Sequence, residues 1–209
     1  MYNAVLKSVR FKAMKHLNPK DIPEELKGIT LFSGNTFDFN NPEAAIFTIE
    51  DVAHALSHIC RFNGHCRKFY SVAQHSVLTS KNIAPEYRLE ALVHDGVEFV
   101  INDMTKPFKI LLPEYQAYEK RIEKVVLERF GLTVPLSKAV KIADYNMLLT
   151  EQRQLLNRKG GWPTPTQGEI LDIEIIPWKP KKAKRKFLER LAELLFERGW
   201  NSHMSFTTI

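Results

Sequence analysis

Leu92-Val93-His94-Asp95-Gly96-Val97-Glu98 places an imidazole and a carboxylate side by side in an apolar run, with a second carboxylate one helical turn later. Three ionisable groups in a stretch patterned as core are costly unless they pair or hold a metal. The run reads as helix. Pro85 in Ala84-Pro85-Glu86 suits a first helical position, and Leu89, Leu92, Val93, Val97 and Val100 follow at helical spacing. Gly96 in the interior costs ~1 kcal/mol against alanine, which points to close packing or a close backbone approach there.

The same period recurs on both sides of the motif. Thr48, with Asp51 three residues on, opens a helix through Ile49, Val52, Ala53, Leu56 and Ile59. A second helix covers roughly Tyr70 to Lys81. Pro107 interrupts the later pattern, Pro113 restarts it, and Ile122, Val125, Val126 and Phe130 carry it to a stop at Gly131. Pro135 opens a helix through Val140, Ala143, Met147 and Leu148 to about Asn157, and Phe187, Leu191, Leu194 and Leu195 mark a last one closed by Gly199. The β signal is confined to Ile29 to Phe39, two short aromatic-rich strands around Ser33-Gly34-Asn35 that read as a hairpin. A short helix can start at Asn18-Pro19. Residues 158–178, rich in glycine and proline, read as a loop too long for a simple connector and hence a candidate lid.

The expected fold is therefore all-α, a bundle of six to seven helices with one small β-hairpin near the N-terminus. Residues 1–27 form an N-terminal arm, 28–200 the domain and 201–209 a tail. An uncovered hairpin edge invites pairing, so a subunit interface is expected there.

Composition fits a globular chain: 209 residues, 44% hydrophobic and 26% charged. Cys60 and Cys66 form no CxxC pair, which argues against a disulfide framework or a structural zinc site and fits a reducing compartment. With no secretory signal and no apolar run of membrane-spanning length, the expected location is the cytoplasm. The net charge of +6 equals the contribution of Lys179, Lys181, Lys182, Lys184, Arg185 and Lys186, so the basicity is one local run. That run reads as a solvated helix start ahead of an apolar stripe. It is not interleaved with aromatics, as a single-strand nucleic-acid surface would be.

His94 and Asp95 can both reach one ion beside their helix. Two further polar groups sit in apolar helical settings: His75 in Tyr70-Ser71-Val72-Ala73-Gln74-His75-Ser76-Val77, and Asp144 in Lys141-Ile142-Ala143-Asp144-Tyr145. Two imidazoles and two carboxylates on three helices make a mixed nitrogen and oxygen site suited to a divalent transition metal. On periodicity alone, a buried histidine bonded to a neighbouring helix is the commoner fate, and Asp144 is equally readable as an ordinary helical residue.

The pattern His75, His94-Asp95, Asp144 resembles the HD-domain metal-dependent nucleotide phosphohydrolases, a group that includes small bacterial 5′-deoxynucleotidases and phage dATP triphosphohydrolases. The likeness extends through Ile49 to Ser57, Arg61-Phe62-Asn63-Gly64-His65, Tyr70 to Ser76, Asp103 to Lys109 and Ala143-Asp144, and covers about Gly28 to Gly199. The resemblance implies a helical HD bundle with His75, His94, Asp95 and Asp144 as ligands of zinc, cobalt or manganese. Additional magnesium would arrive with the substrate phosphates. It makes Glu98 the catalytic carboxylate and Asp103 a second acidic residue near the site, with Arg61 and Lys109 holding phosphate. Lys106 stands beside Pro107 where the family pattern has arginine.

The implied activity is removal of 5′ phosphate groups from deoxynucleotides, with a dATP-like triphosphate as the leading substrate. The alternative is a 5′-deoxynucleotidase acting on monophosphates. A catalytically silent nucleotide or nucleic-acid binding protein is the reading from another class. The resemblance also implies a homo-oligomer, dimer or hexamer.

Three side features remain. Phe62 beside Arg61 can stack on a base or sugar, though such an aromatic is more often core. His65, after Gly64, approaches substrate or holds a turn. His54 and His58 could clip a second metal, but without a carboxylate in register a solvated or hydrogen-bonded pair is favoured.

Overall fold

The helix Val72–Lys81 lies at the centre, with only Leu78 and Lys81 outside full burial. A computed structural model describes residues 27–199. The arm over 1–27, apart from its last residue, the helix expected from Asn18-Pro19 and the tail over 201–209 lie outside the described residues. The described strands are β1 (Gly28–Thr30) and β2 (Thr36–Asp38). The helices are α1 (Ile49–His58), α2 (Val72–Lys81), α3 (Arg88–Val93), α4 (Glu98–Ile101), α5 (Lys106–Lys109), α6 (Pro113–Arg129), α7 (Lys138–Leu155) and α8 (Pro180–Glu197). This is the expected helical bundle with one small antiparallel hairpin. None of the helices among the described residues is long and apolar enough to cross a membrane.

The small and polar side chains of α2 let α1, α3, α7 and α8 close around it. Val52 and Leu56 of α1, Leu92 and Val93 of α3, Ile122 and Val126 of α6 and Phe187 and Leu191 of α8 share one core. The hairpin belongs to that core. Phe37 is fully buried and meets Phe99 edge-on at 5.7 Å. The anticipated capping box opens α1: Asp51 N–H donates to Thr48 Oγ1 at 3.0 Å, and Thr48 N–H donates to Asp51 Oδ2 at 2.7 Å. Gly131, with φ 67, ends α6 as expected, and Leu132 N–H returns to Leu127 O at 3.0 Å. The basic run opens α8, whose apolar stripe of Ala183, Phe187, Leu191, Leu194 and Leu195 is buried.

Three expectations need correction. The helix through the motif is not continuous. Between α3 and α4 the chain tightens, with Gly96 N–H on Val93 O at 2.8 Å and Glu98 N–H on Asp95 O at 3.1 Å. Gly96 is required at this point, because a Cβ there would stand 2.8 Å from Val93 O and 3.0 Å from Val126 Cγ1. Secondly, α7 starts at Lys138 and not at Pro135; Ser137 Oγ accepts from Val140 N–H at 3.2 Å and caps it.

Thirdly, residues 158–178 are not a free lid. Their second half is an extended strap laid along α7. Glu169 N–H donates to Asn146 Oδ1, Leu171 N–H to Thr150 Oγ1 and Ile175 N–H to Gln154 Oε1, at 3.0, 2.9 and 2.8 Å. Gln154 Nε2 donates back to Ile173 O at 2.7 Å. Gln74 of α2 closes the strap, donating to Ile176 O at 2.9 Å and accepting from Trp178 N–H at 2.7 Å. Ile175 is buried, and Leu171 and Ile173 join it against Tyr70, Met147 and Leu155.

Asn102, at the end of α4, has φ 68 and ψ 164. Glycine alone reaches that region freely, and holding another residue there costs on the order of 1–3 kcal/mol. Asn102→Gly is expected to stabilise the protein by about 1 kcal/mol net of the freedom glycine adds to the unfolded chain, a rise of about 2–4 °C in Tm. A thermal melt at or below the wild-type midpoint would show that the strain is relieved another way.

Candidate metal centre

Histidine 75 comes from the buried middle of α2, His94 and Asp95 from the tight turn after α3, and Asp144 from α7. These three elements pack on one another through α2 and α3, so four residues spread over 70 positions meet at one place. One ligand atom each from His75, His94 and Asp95 falls within 4.8 Å of the others. Asp144 Oδ1 lies 3.1 Å from His75 Nε2 and 3.6 Å from His94 Nε2. Asp95 reaches His75 Nε2 with Oδ2 at 3.5 Å and His94 Nε2 with Oδ1 at 3.3 Å. All four expected ligands are brought together.

The tautomers follow from the partners. His94 Nδ1 is 2.8 Å from Ala91 O, a carbonyl that can only accept, so Nδ1 carries the proton. His75 Nδ1 is 2.6 Å from Glu151 Oε1, and an ionised carboxylate likewise only accepts. Both rings therefore turn Nε2 inward, and the two Nε2 atoms are 3.3 Å apart. Two lone pairs facing at that distance repel unless a proton or a cation lies with them. Burial and Arg61 oppose protonation of His75, but Glu151 and Asp144 prevail and push it up to about 9. Burial opposes ionisation of Asp144, yet the bonds from His75 and His94 hold it well below the usual carboxylate range. The pocket thus favours positive charge at the paired imidazoles, and its donor set of two nitrogens and two carboxylates fits a divalent metal.

Glu151 was missed by sequence reasoning, and it ties the centre together. It is fully buried. Its Oε1 accepts from His75 and, at 2.8 Å, from Tyr70 Oη; its Oε2 accepts from Arg61 Nε at 3.2 Å, with Arg61 Nη2 at 3.1 Å. Burial works against the ionised form, but Arg61 and His75 hold the carboxyl below its ordinary value. A signal was present in the sequence: Asp144, Met147, Leu148, Glu151 and Leu155 share one face of α7, so Glu151 is a charge on a stripe that faces the core.

Arg61, expected to hold phosphate, is buried and spends much of its fork inside the protein. Besides Glu151 it reaches Asp95 Oδ2 through Nη1 at 3.4 Å. Of its five N–H groups some remain uncommitted. Phe62 lies under the guanidinium at 5.4 Å, so among the described contacts its face is given to Arg61. His65 closes the same turn with its ring exposed and its N–H on Phe62 O at 3.0 Å. Lys109 is ion-paired to Glu119.

Glu98 is buried, and its Oε2 has no hydrogen-bond partner among the described residues. Burial, with Asp95 and Asp103 beside it, raises its carboxyl well above the usual range. Burial likewise raises Asp103, with Asp95 adding to it against Arg61 and His75. A cavity of about 260 Å³ opens from the ligands, lined by His94, Asp95 and Asp144 together with Glu98, Lys109 and Glu119. His54 and His58 stand outside this centre. Their rings stack at 4.3 Å, His58 Nδ1 meets His54 O at 2.8 Å, and Phe32 stacks on His54 at 3.9 Å.

Two bacterial proteins are similar over most of the chain. The uncharacterized protein YfdR of Escherichia coli K12 is 40% identical over 168 residues, 79% of this chain and 94% of its own. The uncharacterized protein RCAP_rcc00048 of Rhodobacter capsulatus is 32% identical over 186 residues, with the same shares of 79% and 94%. No family model matches the chain.

Proposed function

Since the chain belongs to the family of YfdR and RCAP_rcc00048, whose activity those relatives leave open, we propose from the chemistry of its own centre that it is a metal-dependent phosphohydrolase. It removes 5′ phosphate groups from deoxynucleotides, as the resemblance to HD-domain enzymes implies. The observation that carries this reading is the pair of inward-facing Nε2 atoms 3.3 Å apart between two carboxylates, with, on the same cavity, a buried Glu98 whose Oε2 has no hydrogen-bond partner among the described residues.

His75, His94, Asp95 and Asp144 would hold zinc, cobalt or manganese. When bound, such a metal supplies Lewis-acid polarisation of a phosphate oxygen and lowers the pKa of water. Glu151 and Ala91 fix the two imidazoles so that their inner nitrogens stay available. Glu98, whose carboxyl burial raises above its ordinary value, takes the proton of the attacking water. The N–H groups of Arg61 that Glu151 and Asp95 leave free, together with Lys109, meet the phosphate and its developing charge.

The leading substrate implied by the resemblance is a dATP-like triphosphate. The second reading is a nucleoside monophosphate, and the pairing of Lys109 with Glu119 and of Arg61 with Glu151 and Asp95 favours it, because these two cations have less charge to offer a longer phosphate tail.

A panel of ribo- and deoxynucleoside mono-, di- and triphosphates, offered to metal-loaded protein with analysis for phosphate, pyrophosphate and triphosphate, tests the reading. Release from at least one deoxynucleotide is expected, and no release from any ends it. Glu98→Ala is expected to retain the metal and lose turnover by ~10² or more; a fully active variant removes Glu98 from its role. The subunit interface at the hairpin is proposed to use Ile29 and Phe32, its exposed apolar residues. A monomer by light scattering would dispose of it.

A further inference from the structure

Glu98 also lines a second and larger cavity, of about 760 Å³, within the size range of small-molecule sites. Its walls are Ala55, His58, Ile59 and Cys60 at the end of α1, Asn63 and Gly64 of the turn after Arg61, and Phe99, Val100 and Asn102 of α4. The metal-side cavity and this one thus share one buried carboxylate, whose Oε2 has no hydrogen-bond partner among the described residues. One side carries the ligands and the cations. The other sets apolar side chains beside two amides, the His58 imidazole and the Cys60 thiol, and Glu98 is the one carboxylate among its described lining residues.

Both amides are held by left-handed backbone. Asn63 has φ 50 and ψ 35, and Asn102 has φ 68 and ψ 164. Asn102 Oδ1 already accepts from Asp103 N–H at 3.0 Å, which leaves its Nδ2 hydrogens to donate. Asn63 offers both a donor and an acceptor. Apolar walls with a few placed amides suit a flat, uncharged ring bearing its own donors and acceptors, the chemistry by which asparagine pairs with a base edge.

We propose that this cavity binds the nucleoside half of the substrate, with Ala55, Ile59, Phe99 and Val100 against the base and Asn63 and Asn102 on its polar edge. The inference rests on the phosphohydrolase reading, since Glu98, common to both linings, is the catalytic carboxylate of that reading. The phosphate then lies on the metal side of Glu98 and the leaving nucleoside on the other, so that base choice is made away from the chemistry.

Glycine tests the amides without disturbing the backbone, because it accepts both conformations. The four unphosphorylated deoxynucleosides are titrated calorimetrically into metal-loaded wild type, Asn63→Gly and Asn102→Gly, with a thermal melt of each protein. The expected result is binding of at least one deoxynucleoside by the wild type, weakened about tenfold or more in each variant, with Asn102→Gly melting no lower than wild type. The Asn102 loss corresponds to about 1.4 kcal/mol per tenfold. A wild type that binds none of the four overturns the proposal, even if it hydrolyses nucleotides. So do variants that bind as tightly as the wild type. Nucleoside binding that both glycines weaken, in a protein that hydrolyses no nucleotide, upholds the cavity and removes the phosphohydrolase reading instead.

Discussion

Asp95→Asn is expected to empty the centre of metal and take activity to background. Asp95 presents one oxygen to each imidazole and gives Oδ2 to Arg61 as well. The amide removes the negative charge and turns one of the two acceptor positions into a donor. If the NH₂ lies on the Oδ2 side, it confronts the Arg61 guanidinium; on the Oδ1 side, it confronts the inner nitrogen of His94. In the first case two donors face each other in a buried pocket, in the second the amide takes up the Nε2 lone pair that a metal would need, and in both a cation loses one of the two carboxylates. Elemental analysis of purified wild type and variant at equal protein concentration is the measurement, with circular dichroism to show that both are folded. A variant that keeps its metal in full would remove Asp95 from the ligand set.

Glu151→Ala carries the largest expected loss of stability. Breaking a buried ion pair by removing one partner costs about 3–5 kcal/mol, because the remaining charge stays buried. Here Arg61 would be left with only the longer contact to Asp95, while Tyr70 Oη and His75 Nδ1 lose their acceptor. Urea denaturation measures the loss, and a change under about 1 kcal/mol would mean that Arg61 finds another partner. Metal affinity should fall 10–100-fold with it, the usual effect of removing the group that orients a ligand histidine. The pH dependence follows in sign. Because the folded protein holds the Glu151 carboxyl below its ordinary value, its contribution is present above the unfolded value of about 4.3 and is lost as pH falls through the lower folded value.

Caps and ligands were legible because each is a local exception to a local pattern. Thr48 with Asp51 and Gly131 follow from backbone groups that a helix end leaves unpaired. His75, His94, Asp95 and Asp144 stood out as polar groups in apolar helices, and folding brought them to one place. Glu151 hid among Thr150, Gln152, Arg153 and Gln154, a polar stretch with the look of a solvent face. What buries it is the packing of α7 on α2 and on the segment before it, where Arg61, Tyr70 and His75 close on its carboxylate. The strap itself had a signal. Leu171, Ile173 and Ile175 alternate with Asp172 and Glu174 at the period of a strand. Its partner is a row of side chains at one-turn intervals on a helix, Asn146, Thr150 and Gln154, and a pattern search for strands has no place for such a partner. The break in the motif helix was foreshadowed by Gly96 alone, since only the packing of α6 shows why no Cβ fits.

The bonds from Gln74 to Ile176 and Trp178 span more than a hundred positions of chain. The amide of the residue next to His75 therefore meets these partners only after about a hundred further residues have been made. α8, which closes on α1, α2 and α3, comes later still. During synthesis the first three ligands emerge long before the strap that pins α2 to α7. The centre is thus expected to mature in time order, with metal retention appearing only once residues beyond Trp178 have left the ribosome.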